Sequence, residues 1–137
     1  MLKAKDIMKK NVKTVLANLT VKEAQTIMDD LKIRHLFIND DQGFLIGIIS
    51  DRDIKTVLSP FIGSKMEDVK DRCTLTLPLK KIMTKKVITC SPDDDVKKCA
   101  QLMLDERFST MPIINTEGRL IGAVSSTDLI RLLVRLI

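Results

Sequence analysis

The chain of 137 residues has no tryptophan, no tyrosine, a single histidine (His35), three cysteines and four phenylalanines. Each shortage closes off a class of function. Without Trp or Tyr, and with Phe set mostly in apolar surroundings, the stacking platforms that hold nucleic-acid bases are missing. One histidine removes every two-histidine metal motif and leaves acid–base catalysis without a persuasive partner. Cys73, Cys90 and Cys99 are too few and too scattered for a disulfide framework or a Cys-x-x-Cys metal site, and they read as buried or half-buried free thiols. No apolar run approaches the roughly 18 residues of a membrane span. The opening "MLKAKDIMKK" carries charges where a signal peptide has its apolar segment, so a cytoplasmic location is expected. Also missing are a Gly-x-Ser-x-Gly elbow, a phosphate-binding loop and a Gly-x-Gly-x-x-Gly fingerprint; "GSK" at Gly63 to Lys65 lacks the upstream glycine. An enzyme is not expected.

The formal net charge is +5, but Lys and Arg are spread along the chain and interleaved with acids. That pattern suits a solvated basic surface, or a phosphate-bearing small ligand, better than a nucleic-acid interface.

What the chain does have is a repeat. Sliding the sequence on itself by about 75 residues places "GFLIGIISDRDI" (Gly43 to Ile54) on "GRLIGAVSSTDL" (Gly118 to Leu129) and "DIMKKNVKT" on "KIMTKKVIT". About a third of the aligned positions are identical, far above chance. Each copy follows one grammar. A short extended piece (Val12 to Leu16; Val87 to Cys90) leads to a helix. The first helix opens on Thr20-Val21-Lys22-Glu23, a capping box, with Val21, Ala24, Ile27, Met28 and Leu31 on one face. The second opens near Asp95, where Lys98 replaces the glutamate and weakens the cap. A hairpin follows, turning at Gly43 with positive φ, and then a closing helix, from Asp51 and from Ser126. Pro112 belongs at a strand start or edge. The fold class is therefore α/β, with two tandem strand-helix-strand-strand-helix repeats packed as a pseudo-twofold pair: residues 1–62, a linker over 63–78 and residues 79–137.

Ser50-Asp51-Arg52-Asp53 and Ser125-Ser126-Thr127-Asp128 each follow a strand and open a helix, where free amides and the helix dipole favour an anion. Ser-x-x-Asp is also a capping box in its own right, with both side chains turned to the helix's own amides, and duplication preserves caps as readily as sites. Gly47 and Gly122 sit mid-strand, where glycine is costly and marks a bulge or the close approach of another group. Met8, Met28, Met83 and Met103 recur at equivalent positions and read as core packing.

Taken in order, the "IM" boxes, the capped helices, "IRHLFINDDQGFLIGIISDRDI" and "FSTMPIINTEGRLIGAVSSTDL" resemble the cystathionine-β-synthase (CBS) domain, two of which in tandem form a Bateman module. The linker and the "DLIRLLVRLI" ending are also similar to the CBS half of acetoin-utilisation protein B-like proteins, without the ACT domain that usually follows there. The resemblance implies a regulatory module that requires no cofactor. It binds AMP, ADP, ATP or S-adenosylmethionine in clefts between the repeats, forms a homodimer and signals to a regulated protein. By the same resemblance, Asp53 and Asp128 accept from ribose hydroxyls, and Ser50, Arg52, Ser125 and Thr127 face phosphate. Val12, Thr14, Val87 and Thr89 line the adenine pocket, a flat adenine being the group close to Gly47 and Gly122. Arg34 and His35 match phosphate-binding positions, Arg34 as a fork and His35 as a titrating donor; a solvated arginine beside an edge-strand histidine reads equally well. Ser109 and Thr110 replace them in the second copy, which implies two inequivalent sites. Lys9, Lys10, Lys85 and Lys86 read as a solvated charge run or as auxiliary phosphate contacts. Two other readings stay open: nucleic-acid binding through the lysines, and a ligand-free dimerisation or docking module using the apolar final helix "LIRLLVRLI".

Overall fold

The computed structural model describes residues 1–58 and 75–137. Most of the expected linker (63–78), with Cys73 and the Gly63-Ser64-Lys65 stretch, lies outside the described residues. The elements are α1 (Ala4–Ile7), β1 (Thr14–Leu16), α2 (Val21–Leu31), β2 (His35–Asn39), β3 (Leu45–Ser50), α3 (Asp51–Val57), a 3-10 turn (Leu79–Lys81), α4 (Val96–Glu106), β4 (Thr110–Ile114), β5 (Leu120–Ser125) and α5 (Ser126–Leu136). The mixed α/β grammar thus appears twice in tandem.

Local chemistry explains most boundaries. Thr20 caps α2 through the Glu23 amide, and Glu23 returns a bond to the Thr20 amide at 3.2 Å. At α4, where a weaker cap is expected, the Asp95 side chain makes no cap bond at all and pairs with Lys3 instead. Both hairpins turn at a glycine in the left-handed region, Gly43 (φ 90°) and Gly118 (φ 88°). β1 lies parallel to β2 with Thr14 opposite Phe37, β3 completes that sheet, and β4 pairs antiparallel with β5, Thr110 opposite Ser125. Pro112 stands inside β4, whose only full ladder partner among the described residues is β5. Two expectations change. The strand expected over Val87 to Cys90 shrinks to one parallel bridge, Cys90 to Ile113. Ser91 stands where the first copy continues with Leu16, and its amide is taken by the Asp94 carboxylate at 2.8 Å. Leu31, expected on the packed face of α2, is 52% exposed.

The chain divides into two compact units that do not follow the order of the copies. One comprises Met1–Val12, Gly43–Leu45 and Ile88–Ile137, and the other Lys13–Gln42 and Ile46–Val87. The leading segment of each copy therefore packs with the body of the other. In the second unit, Leu79 and Lys80 donate to the carbonyls of Leu19 and Ala17, while Val21 donates to Leu77. In the first, Ala4 and Lys5 donate to Asp94 and Pro92, while Val96 donates to Leu2. Position for position, it is the same zipper. Lys3–Asp95 (2.7 Å) and Lys5–Asp93 (2.9 Å) ion pairs reinforce it in the first unit.

Each unit has its own core. Val21, Ala24, Met28, Leu36, Ile38, Ile49 and Ile54 surround Leu79 in one. Cys90, Cys99, Met103, Met111, Ile113 and Val124 surround Ala4 in the other. Leu79 and Ala4, both fully buried, are the visiting residues. Cys90 and Cys99 are buried free thiols; their mutual interaction and desolvation push the Cys90 thiol up, while the same interaction pulls Cys99 down.

The methionine of each "IM" box closes the exchange. A Cβ on Gly47 would meet the Met83 sulfur at 2.5 Å, and one on Gly122 would meet the Met8 sulfur at 2.7 Å and the Lys9 carbonyl oxygen at 2.8 Å. Alongside, Ile48 and Thr84 exchange two backbone hydrogen bonds, as do Ala123 and Lys9. The mid-strand glycines are thus accounted for by a visiting methionine and need no ligand ring beside them. Gly122→Ala should cost about 1–3 kcal/mol of stability, because a backbone carbonyl stands in the way, and Gly47→Ala less, because a thioether can move. In double-mutant cycles read by thermal unfolding, Met83→Ala should couple strongly to Gly47→Ala. Met8→Ala should leave most of the Gly122→Ala penalty in place.

Candidate functional site

In the second unit the strands bring the expected residues to one end of the sheet. Thr14 opens β1, Arg34 and His35 lead into β2, and Ser50 ends β3 where α3 begins. The Asp51 amide donates to the Arg34 carbonyl at 2.9 Å, which ties the basic pair to the helix start. The first unit repeats this with Ser126 donating to Ser109 at 2.8 Å, so Thr89, Ser109, Thr110, Ser125, Thr127 and Asp128 share the corresponding end. Val12 and Val87 close their segments and belong to the opposite unit from Thr14 and Thr89.

Both Ser-x-x-Asp motifs are capping boxes. The Ser50 amide donates to Asp53 Oδ2 at 2.9 Å and the Asp53 amide to Ser50 Oγ at 3.1 Å; Ser125 and Asp128 show the same two distances. Each serine hydroxyl and one oxygen of each aspartate are therefore engaged by the helix itself. The second carboxylate oxygen takes no backbone amide. Oδ1 of Asp53 has no partner among the described residues. Oδ1 of Asp128 lies 3.6 Å from an Arg131 guanidinium nitrogen and 3.9 Å from Lys9 Nζ. Asp128 is 8% exposed, among the few buried polar residues. A half-engaged carboxylate at a helix start can still accept a hydroxyl, and the first-turn amides beside it favour a negatively charged group.

The electrostatics around the two carboxylates differ. Burial pushes the His35 pKa below its ordinary 6.5; Asp51 and then Asp53 pull it back up, and Arg34 pushes it further down. Burial thus favours the neutral imidazole of His35, which offers one N–H rather than a charge. Arg34 and Arg52 are exposed cations at that unit's sheet end. In the other unit Ser109 and Thr110 are neutral, and the cations come from Lys9 and Arg131 instead. Lys9 is one of the lysines that the sequence offers either as a charge run or as auxiliary phosphate contacts. Arg131 is signalled in the sequence only by its place three residues beyond Asp128 on one helix face.

Comparison with known proteins follows the same lines. The family model for the CBS domain matches residues 4–60 and 79–135. The CBS domain pair of protein MJ0100, solved with 5′-methylthioadenosine and S-adenosyl-L-methionine, is 30% identical; the match covers 99% of this chain and 98% of that one, with a TM-score of 0.81. A putative acetoin utilization protein (AcuB) from Vibrio cholerae is 25% identical over 99% of this chain and 93% of that one, with a TM-score of 0.82. Among curated relatives, a homoserine O-acetyltransferase of Methanohalobium evestigatum is 31% identical over 93% of this chain, which spans only 23% of that protein. Among the described residues no helix is long and apolar enough to cross a membrane. Two matched repeats, two Ser-x-x-Asp caps with a carboxylate oxygen to spare and a full-length structural match place this chain in the CBS domain family, as a tandem pair.

Proposed function

We propose that the chain is a non-catalytic regulatory module that binds an adenosine-containing ligand and passes the bound state to a partner protein. The observation that carries this reading is the spare oxygen on each capping carboxylate. Asp53 and Asp128 are positioned by their own helix starts yet keep an acceptor for a ribose hydroxyl. Thr14 and Thr89 lie at the same sheet ends as the adenine-side contacts, and Ser50, Arg52, Ser125 and Thr127 stand at helix starts suited to a phosphate. The similar MJ0100 pair was solved with two adenosine derivatives, which supports the class of ligand. A ligand shifts the module between states only through different affinities for them. Cytoplasmic residence is part of this reading.

Thermal unfolding with AMP, ADP, ATP and S-adenosylmethionine tests it. A true ligand at 100 times its dissociation constant should stabilise the chain by about 2.7 kcal/mol. No shift with any of the four, in protein freed of carried-over ligand, sinks the proposal.

The caps supply an internal control. Asp53→Asn and Asp128→Asn keep an oxygen for the serine amide and put an amide where the spare carboxylate oxygen stood, so ligand-induced stabilisation should fall while ligand-free stability barely changes. The alanine variants should lose the ligand effect and in addition about 0.5–2 kcal/mol of stability with the cap.

A second reading rests on α5. Ile130, Leu133, Val134 and Ile137, spaced as one helical stripe, are 60%, 55%, 66% and 93% exposed. Such a stripe suits self-association, in keeping with a homodimer. Sedimentation velocity should show dimers that Val134→Asp shifts to monomer; a monomer at every concentration before substitution removes this reading.

A further inference from the structure

The two carboxylates meet different counter-ions. Lys9 and Arg131 approach the spare oxygen of Asp128, whereas Thr84 and Thr56 stand at the corresponding positions for Asp53, which has no such cations among the described residues. Asp128 and Arg131 also border an opening of about 620 Å³ in the first unit, lined as well by Asp6, Ile7, Val134 and Arg135. Arg131 therefore faces both the carboxylate and open space, with a second guanidinium one helical turn further along the same wall.

We propose that Lys9 and Arg131 are holding counter-ions that pass from Asp128 to a ligand phosphate, so that the Asp128 site selects phosphorylated over unphosphorylated adenosine ligands. This rests on the ligand reading above and adds residues and a selectivity to it. The two ion pairs are long, and their cations are 62% and 65% exposed, so each is weak and easily exchanged. A phosphate offers more negative charge and a fork for the guanidinium. Once the cations turn to it, Asp128 Oδ1 is left to the ribose. An unphosphorylated nucleoside makes no such exchange, and its hydroxyl must share Oδ1 with both cations. At Asp53 no cation has to move, so the penalty on an unphosphorylated ligand is smaller.

Calorimetric titration of the full chain with AMP and with adenosine tests this, with Asp53→Asn present to silence the other site. Against that background, Lys9→Thr plus Arg131→Thr should weaken AMP and strengthen adenosine, lowering the AMP-to-adenosine affinity ratio about tenfold, as loss of a charge-assisted contact implies. Arg131→Lys, which keeps the charge, should retain most of the ratio. An unchanged ratio overturns the inference. If the unsubstituted chain binds AMP but the Asp53→Asn protein does not, the inference fails and the ligand reading stands. If the unsubstituted chain binds neither compound, both fall.

Discussion

Everything in this molecule depends on a methionine lying against a glycine. Met83 on Gly47 and Met8 on Gly122 are contacts that a single β-carbon would abolish, and each joins a leading segment to the body of the other copy. Around them run the paired backbone bonds of Thr84 with Ile48 and of Lys9 with Ala123. Leu79 and Ala4 then enter cores that their own copies do not supply. The units are small, and each draws part of its buried surface from a distant stretch of chain. Closing that loop costs entropy that the burial has to offset.

The candidate sites grow out of the same economy. Asp53 and Asp128 first serve the helix start, each with one oxygen on a serine amide. Only the other oxygen is left for a counter-ion or a ligand. A side chain fixed by its structural duty is already oriented for a ligand, so less entropy is lost on binding. Duplication then allowed the surroundings to diverge. Arg34 and a neutral His35 stand near one carboxylate, and Lys9 and Arg131 near the other.

Much of this was legible in the sequence. The self-match revealed the duplicated unit, Thr20 and Glu23 marked a helix start, and Gly43 and Gly118 marked the hairpin turns. The Ser-x-x-Asp motifs were legible as the capping boxes they form. Which body each leading segment joins was not legible. "DIMKK" and "KIMTK" are near copies, so docking at home and docking across present the same pattern of residue types. For that reason the sequence does not show that the groups close to Gly47 and Gly122 are methionines. Arg131 was hidden within a helix read for its apolar residues. The loss of strand at Cys90 came from Asp94 competing for the Ser91 amide, a local side-chain bond that strand periodicity does not register.

The crossed packing also sets a timetable for biosynthesis. As the chain leaves the ribosome from its amino end, the unit built from Lys13–Gln42 and Ile46–Val87 has all its parts once Val87 has emerged. The segment up to Val12 belongs to the other unit, and its partners from Ile88 onward are translated only after that point. Met8 therefore meets Gly122 only once the later copy has been made, so the order of synthesis and the order of packing run opposite ways.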